Sequence, residues 1–218
     1  MNIAAIGPPK QLEELNSVLS LADCNFTVLE NTKNISSATF DIIFDLNFDN
    51  DPGSIADYLN IDPKTILCLS AVKIQLHQAI PKALQLQVIG INALPSFLGR
   101  QVLEGCTLNN KLDTGFIAKL GWKSVNLVES RIGMVSARII CMIINEAYFT
   151  LQEGTASRED IDKGMKLGTA YPHGPFEWSD KIGVENVYEV LNAMAKDTLD
   201  ERYKICNLLK TEYLKVIN

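Results

Sequence analysis

The chain has 218 residues, 47% of them apolar and 21% charged, a balance expected of a soluble globular protein with one large domain or two modest ones. Its 20 basic residues against 26 acidic ones leave a net charge of -6, and no cluster of lysine or arginine forms the basic stripe that a nucleic-acid backbone requires. The most apolar run, Ile139 to Ile144, is far shorter than the roughly 20 residues that cross a bilayer, so neither nucleic acid nor membrane is expected as a partner.

Ile3 to Ile6 reads as the first strand, followed by a Gly-Pro-Pro turn. Leu12, Leu15, Val18, Leu19 and Leu21 then recur at helical spacing, which predicts a helix over 10–22. Phe26 to Leu29, Asp41 to Leu46, Thr65 to Leu69 and Gln87 to Ile91 supply four further strands, with the turn-rich run NFDNDPGS after the third. Such alternation predicts βαβ units and a parallel sheet. Strand-like runs stop after about residue 125, so the expected domains are 1–125 and 126–218. The run from Met134 to Gln152 is apolar almost all round, which predicts a helix buried on most faces, with Gly154 as its stop. Ser157 followed by Asp160 is a variant capping box that opens a helix ending at Gly168. YPHGPF reads as a turn, and two more helices are expected to begin near Glu185 and Asp197, the first with an apolar stripe of Val187, Val190, Leu191 and Met194.

Five widely spaced cysteines, Cys24, Cys68, Cys106, Cys141 and Cys206, sit mostly among apolar neighbours and read as buried free thiols of a reducing compartment, so a cytoplasmic location is expected. The first residues show no export-signal pattern. The two histidines, His77 and His173, have no histidine or cysteine three or four residues away, and no metal is expected. Trp122 and Trp178 read as core or interface anchors.

In the second half, GMVSAR from Gly133, NEA from Asn145, EGTAS from Glu153, EDID from Glu159, MKLG from Met165 and YPHGPF from Tyr171 share order and spacing with one family. The chain resembles the 3-hydroxyacyl-CoA dehydrogenases over roughly residues 115–196. The resemblance implies an α/β fold, a reduced Rossmann-like parallel-sheet domain followed by an all-helical C-terminal dimerisation domain. It implies NAD as cofactor, a homodimer, an acyl-CoA-like ligand, and oxidation of 3-hydroxyacyl-CoA with a His as base, a Glu orienting it, and Ser and Asn holding substrate.

Carried over position by position, Gly7 opens the family's G-x-G-x-x-G turn, which here continues Pro8, Pro9, Lys10, Gln11, Leu12, and Glu30 at the end of the second strand stands where an acid meets the ribose. The two prolines remove N–H donors from the phosphate turn. Asn92 falls at the position of the His and Glu104 at that of its Glu, although Glu104 also reads as a partly exposed helix residue. An amide cannot take a proton near neutral pH. The family's Ser falls near Val72, with Ser70 close by, and its Asn falls on Ala137. Between Glu30 and Asp41 the chain has only NTKNISSATF, where the family carries a helical hairpin that contacts CoA, and the family's usual tail is missing after Leu214. Two functions of different class follow. One is an NAD(P)-dependent oxidoreductase working on a 3-hydroxyacyl-CoA or short hydroxy acid through a non-standard site. The other is a non-catalytic relative that keeps the helical dimer and binds an acyl-CoA-like ligand, a nucleotide fragment or a protein partner. Loss of both the base and the phosphate turn favours the second.

Overall fold

Short β-branched and apolar runs in the first half form the strands β1 (Asn2–Ile6), β2 (Asn25–Val28), β3 (Ile42–Asp45), β4 (Ile66–Ser70), β5 (Gln87–Ile91), β6 (Val102–Thr107) and β7 (Ser124–Leu127). The computed structural model describes residues 1–19, 24–33, 35, 39–82, 84, 86–108 and 114–217. The strands make one sheet in the order β2-β1-β3-β4-β5-β6-β7, parallel throughout except for the antiparallel pair β5 and β6. Side chains alternate between its two faces. Ile3, Ala5, Ile42, Phe44 and Cys68 pack on one face with Leu15 of α1 (Pro9–Val18), while Ala4, Ile6, Ile43, Leu67 and Leu69 pack on the other with Ile55 and Tyr58. Because both faces are covered, β3 and β4 are apolar nearly end to end, as buried parallel strands are. Two short helices, α2 (Leu76–Ala79) and α3 (Gly115–Leu120), complete this part.

The five expected strands are present, and the structure adds two. β6 was hidden by its polar and small residues, Glu104 and Gly105, and β7 by its brevity and exposure at the sheet edge. The first helix ends at Val18 rather than Ala22, because Leu19 already has extended backbone; residues 20–23 lie outside the described set. The chain divides into units Met1–Met134 and Val135–Asn218, a few residues later than the expected boundary at 125, because β7 pairs with β6 and belongs to the sheet.

The second unit contains α4 (Ser136–Gln152), α5 (Arg158–Thr169), α6 (Pro175–Ile182), α7 (Val184–Thr198) and α8 (Asn207–Ile217). Ser157 caps α5 as expected, its Oγ accepting from the Asp160 N–H at 3.1 Å. The YPHGPF turn leads directly into α6, whose first amides, of Phe176 and Glu177, donate to Asp162 at 2.8 and 3.1 Å. No helix starts at Asp197. Leu199 turns left-handed with φ 54°, Asp200 caps a short turn, and the last helix begins only at Asn207. Nor is α4 buried on most faces. Ala137, Ile140, Cys141, Ile144, Asn145 and Tyr148 face the core, whereas Ile139 on the other side is 54% exposed. Asn145 earns its buried place by hydrogen bonding, donating to the Lys204 carbonyl and accepting from the Cys206 N–H, both at 2.9 Å.

Candidate functional site

In a doubly wound sheet, ligands bind beyond the carboxyl ends of the strands, at the point where successive connections turn to opposite sides. Here that point lies between β1 and β3, because β2 pairs on one side of β1 and β3 on the other. Gly7 follows β1 with φ 153°, and a Cβ added to it would stand 2.6 Å from the Cβ of Leu46, the residue after β3. The close approach of Leu46 therefore requires glycine whether or not a phosphate binds.

Pro8 and Pro9 open α1 and offer no N–H. Beyond Lys10, the Gln11 and Leu12 N–H groups both meet the Pro8 carbonyl, at 3.1 and 3.0 Å. The side-chain amide of Gln11, itself buried, donates to the Ala93 carbonyl at 2.8 Å. A pyrophosphate needs free backbone N–H groups at this turn, so these residues do not fit one. Glu30 is exposed, two residues beyond the end of β2, at the same edge of the sheet as Gly7.

Asn92 and Glu104 are brought together. The antiparallel register pairs Gly90 with Cys106 and Ile91 with Gly105, which makes Asn92 and Glu104 the next pair along. The Asn92 N–H donates to the Glu104 carbonyl, and its side-chain Nδ2 donates to Glu104 Oε2, each at 2.9 Å. Both residues are buried, at 1% and 8% exposure. Glu104 is thus an inward-facing strand residue; the reading of it as a partly exposed helix residue is overturned by β6. Close by, Arg100 lies over the Phe97 ring at 3.9 Å and within the field of Glu104 and Glu14. Glu14, on α1, accepts from the Ser96 and Gly99 N–H groups at 2.8 and 2.7 Å, fixing the loop that joins β5 to β6.

Val72, at the family's Ser position, is fully buried and apolar. Ser70 is near, but its hydroxyl is committed to Asp49 at 2.6 Å. Asp49 was missed by sequence reasoning, which saw only a turn in NFDNDPGS; no local pattern tells that this carboxylate folds back onto the end of β4. Burial pushes its carboxyl above the ordinary range, against the pull of Ser70 and two backbone amides. Ala137 lies in the first turn of α4 with no polar side-chain group to offer. His77 is exposed on α2, its Nε2 3.2 Å from the Leu108 carbonyl, and His173 Nδ1 is 3.8 Å from Glu177 Oε2. Among the described residues, no group of three potential metal ligands occurs.

Residues 133–215 match the family model described as 3-hydroxyacyl-CoA dehydrogenase, C-terminal domain. The helical unit belongs to the 3-hydroxyacyl-CoA dehydrogenase family. The chain is 39% identical over 92 residues to the 3-hydroxyadipyl-CoA dehydrogenase of Escherichia coli (strain K12), a stretch that makes up 42% of this chain and 19% of that protein. It is 32% identical over 134 residues to a probable 3-hydroxybutyryl-CoA dehydrogenase of Bacillus subtilis, covering 59% of this chain and 46% of the relative. The chain therefore spans less than half the length of these curated relatives. Among solved structures, the (S)-3-hydroxybutyryl-CoA dehydrogenase from Ralstonia eutropha superposes with a TM-score of 0.68 at 19% identity, over 99% of this chain and 94% of that one. At that identity the likeness speaks for the fold. The Rossmann-like sheet followed by a helical part, expected from the sequence, is the architecture of this 3-hydroxyacyl-CoA dehydrogenase relative.

Proposed function

We propose that this chain is a non-catalytic relative of the 3-hydroxyacyl-CoA dehydrogenases in acyl-CoA or fatty-acid metabolism, a homodimer that binds an acyl-CoA-like small molecule without oxidising it. The observation that carries this reading is the buried hydrogen bond from the Asn92 amide to the Glu104 carboxylate. Oxidation of a hydroxyl to a ketone requires a group that accepts the hydroxyl proton as hydride leaves carbon. Asn92 stands where that group would be and has no basic lone pair to offer, while Glu104 is already engaged with it. The Gly7-Pro8-Pro9 turn supports the same reading, since NAD would find two donors missing and two bonded to the Pro8 carbonyl. No helix among the described residues is long and apolar enough to cross a membrane, and the five cysteines are free, four of them buried. A cytoplasmic location is part of the proposal.

The test is calorimetric titration of the purified protein with NADH, alone and with acetoacetyl-CoA present, followed by a turnover assay. The expected result is no heat from NADH under either condition and no oxidation of NADH. Micromolar NADH binding with turnover would overturn the proposal and reinstate an NAD(P)-dependent oxidoreductase with Asn92, Glu104 and Glu30 in other roles.

A further inference from the structure

The turn that ends β4 has the form of an anion site. The consecutive N–H groups of Val72 and Lys73 donate to the two different oxygens of the Asp49 carboxylate, Oδ2 at 3.0 Å and Oδ1 at 2.7 Å. The Ser70 hydroxyl adds a third donor to Oδ2 at 2.6 Å. Successive backbone amides converging on one carboxylate form the kind of nest that captures anions, and bidentate contact sets the orientation of a planar carboxylate. Lys73 adds positive charge at the rim, its Nζ 3.0 Å from Asn50 Oδ1. The position is that of a ligand site, because the turn lies at the carboxyl end of a parallel strand. Ser70 pairs with Ile91 across β4 and β5, so the nest adjoins Asn92, the next residue on β5.

We propose that this turn is a binding site for small carboxylate ligands, occupied at rest by the chain's own Asp49, and that such a ligand enters by exchanging with it. The exchange is feasible because Asp49 comes from the loop between β3 and the Pro52–Tyr58 turn and takes no part in strand pairing, so its departure breaks no bond of the sheet. Resting occupancy follows from tethering. An internal carboxylate competes at an effective concentration of about millimolar or higher, which holds free carboxylates off until they reach that level. The inference stands apart from the dehydrogenase question, since a chain that did turn over hydroxyacyl-CoA would carry the same nest.

The experiment follows the amide resonances of Val72 and Lys73 in the full chain by NMR during titration with acetate, with chloride at equal ionic strength as control. Asp49→Ala is expected to give saturable shifts at both amides, with an acetate Kd roughly tenfold or more below that of the unsubstituted chain. Adding Ser70→Ala should weaken that binding several-fold. Equal responses from the unsubstituted chain and Asp49→Ala, or none in a folded Asp49→Ala, would overturn the proposal. Should Asp49→Ala fail to fold, Asp49→Asn keeps the shape of the resident and removes its charge. Acetate should then bind it more tightly than the unsubstituted chain, and unchanged binding there would overturn the proposal equally.

Discussion

Asn92 and Glu104 share one side-chain hydrogen bond in a place that water scarcely reaches. A buried carboxylate that loses one of its donors costs more than the bond itself contributes. Asn92→Ala is therefore expected to destabilise the sheet unit by about 2 kcal/mol. Adding Glu104→Leu should recover part of that loss, because no carboxylate would then be short of the Asn92 donor. Urea unfolding of the two variants checks this, and a double variant less stable than Asn92→Ala would contradict it. Both residues were legible in the sequence, since the family's spacing put them twelve residues apart at the right distance from the fifth strand. Their burial was not legible. Nothing local distinguishes a Glu on an inward-facing strand from one on a half-exposed helix until β6 is seen to pair with β5. Asp49 escaped altogether, because its partners at Ser70, Val72 and Lys73 are set by tertiary folding across more than twenty residues.

Among the elements, α8 is held to the rest of the helical unit by a small polar cluster. Glu212 on α8 pairs with Arg158 on α5 and accepts from the Tyr148 hydroxyl on α4 at 2.6 Å. Burial pushes the Tyr148 hydroxyl up to about 12, and its bond to Glu212 adds to that, so it stays a donor at any working pH. For Glu212, burial acts to raise the carboxyl, but the hydrogen bonds from Arg158 and Tyr148 outweigh it and hold the group below its ordinary value. A depressed folded value means a stabilising contribution that is complete above the ordinary carboxyl range and is lost as pH falls through the lowered one. The midpoint of thermal unfolding of the native chain should accordingly fall towards that of Glu212→Gln as pH drops from neutrality through the carboxylate range, and parallel curves for the two would refute the assignment. At this scale the sequence was most informative where periodicity was strong. Gln87–Ile91 and the Ser157 cap fell where expected, whereas the helix proposed at Asp197 did not form, because a left-handed Leu199 breaks the chain's direction before α8.

For the whole molecule, the outer side of α4 bears on assembly. Met142, Ile143, Ala147, Ile161, Met165 and Pro175, together with Glu146 and Thr150, line a groove of about 300 Å³ beside α4, with Ile139 and Leu167 exposed at 54% and 78%. An apolar stripe this open is the feature that the proposed homodimer would cover. Light scattering at micromolar concentration should report a dimer, and Ile143→Asp should yield a folded monomer with unchanged helical circular dichroism. A native monomer would remove the basis for that assembly. The antiparallel step between β5 and β6 carries a different kind of consequence. It sets position 92 opposite position 104 through backbone pairing as well as through the side-chain bond, so the main-chain placing of the pair does not depend on which side chain sits at position 92. A basic side chain could be placed at position 92 by a single codon change while the backbone pairing stayed put. The turn after β1 offers no such economy, because its two prolines alter the main chain itself and Leu46 is fitted closely to Gly7. Of the two departures from the dehydrogenase pattern, one is reversible by substitution and the other would need the turn to be rebuilt.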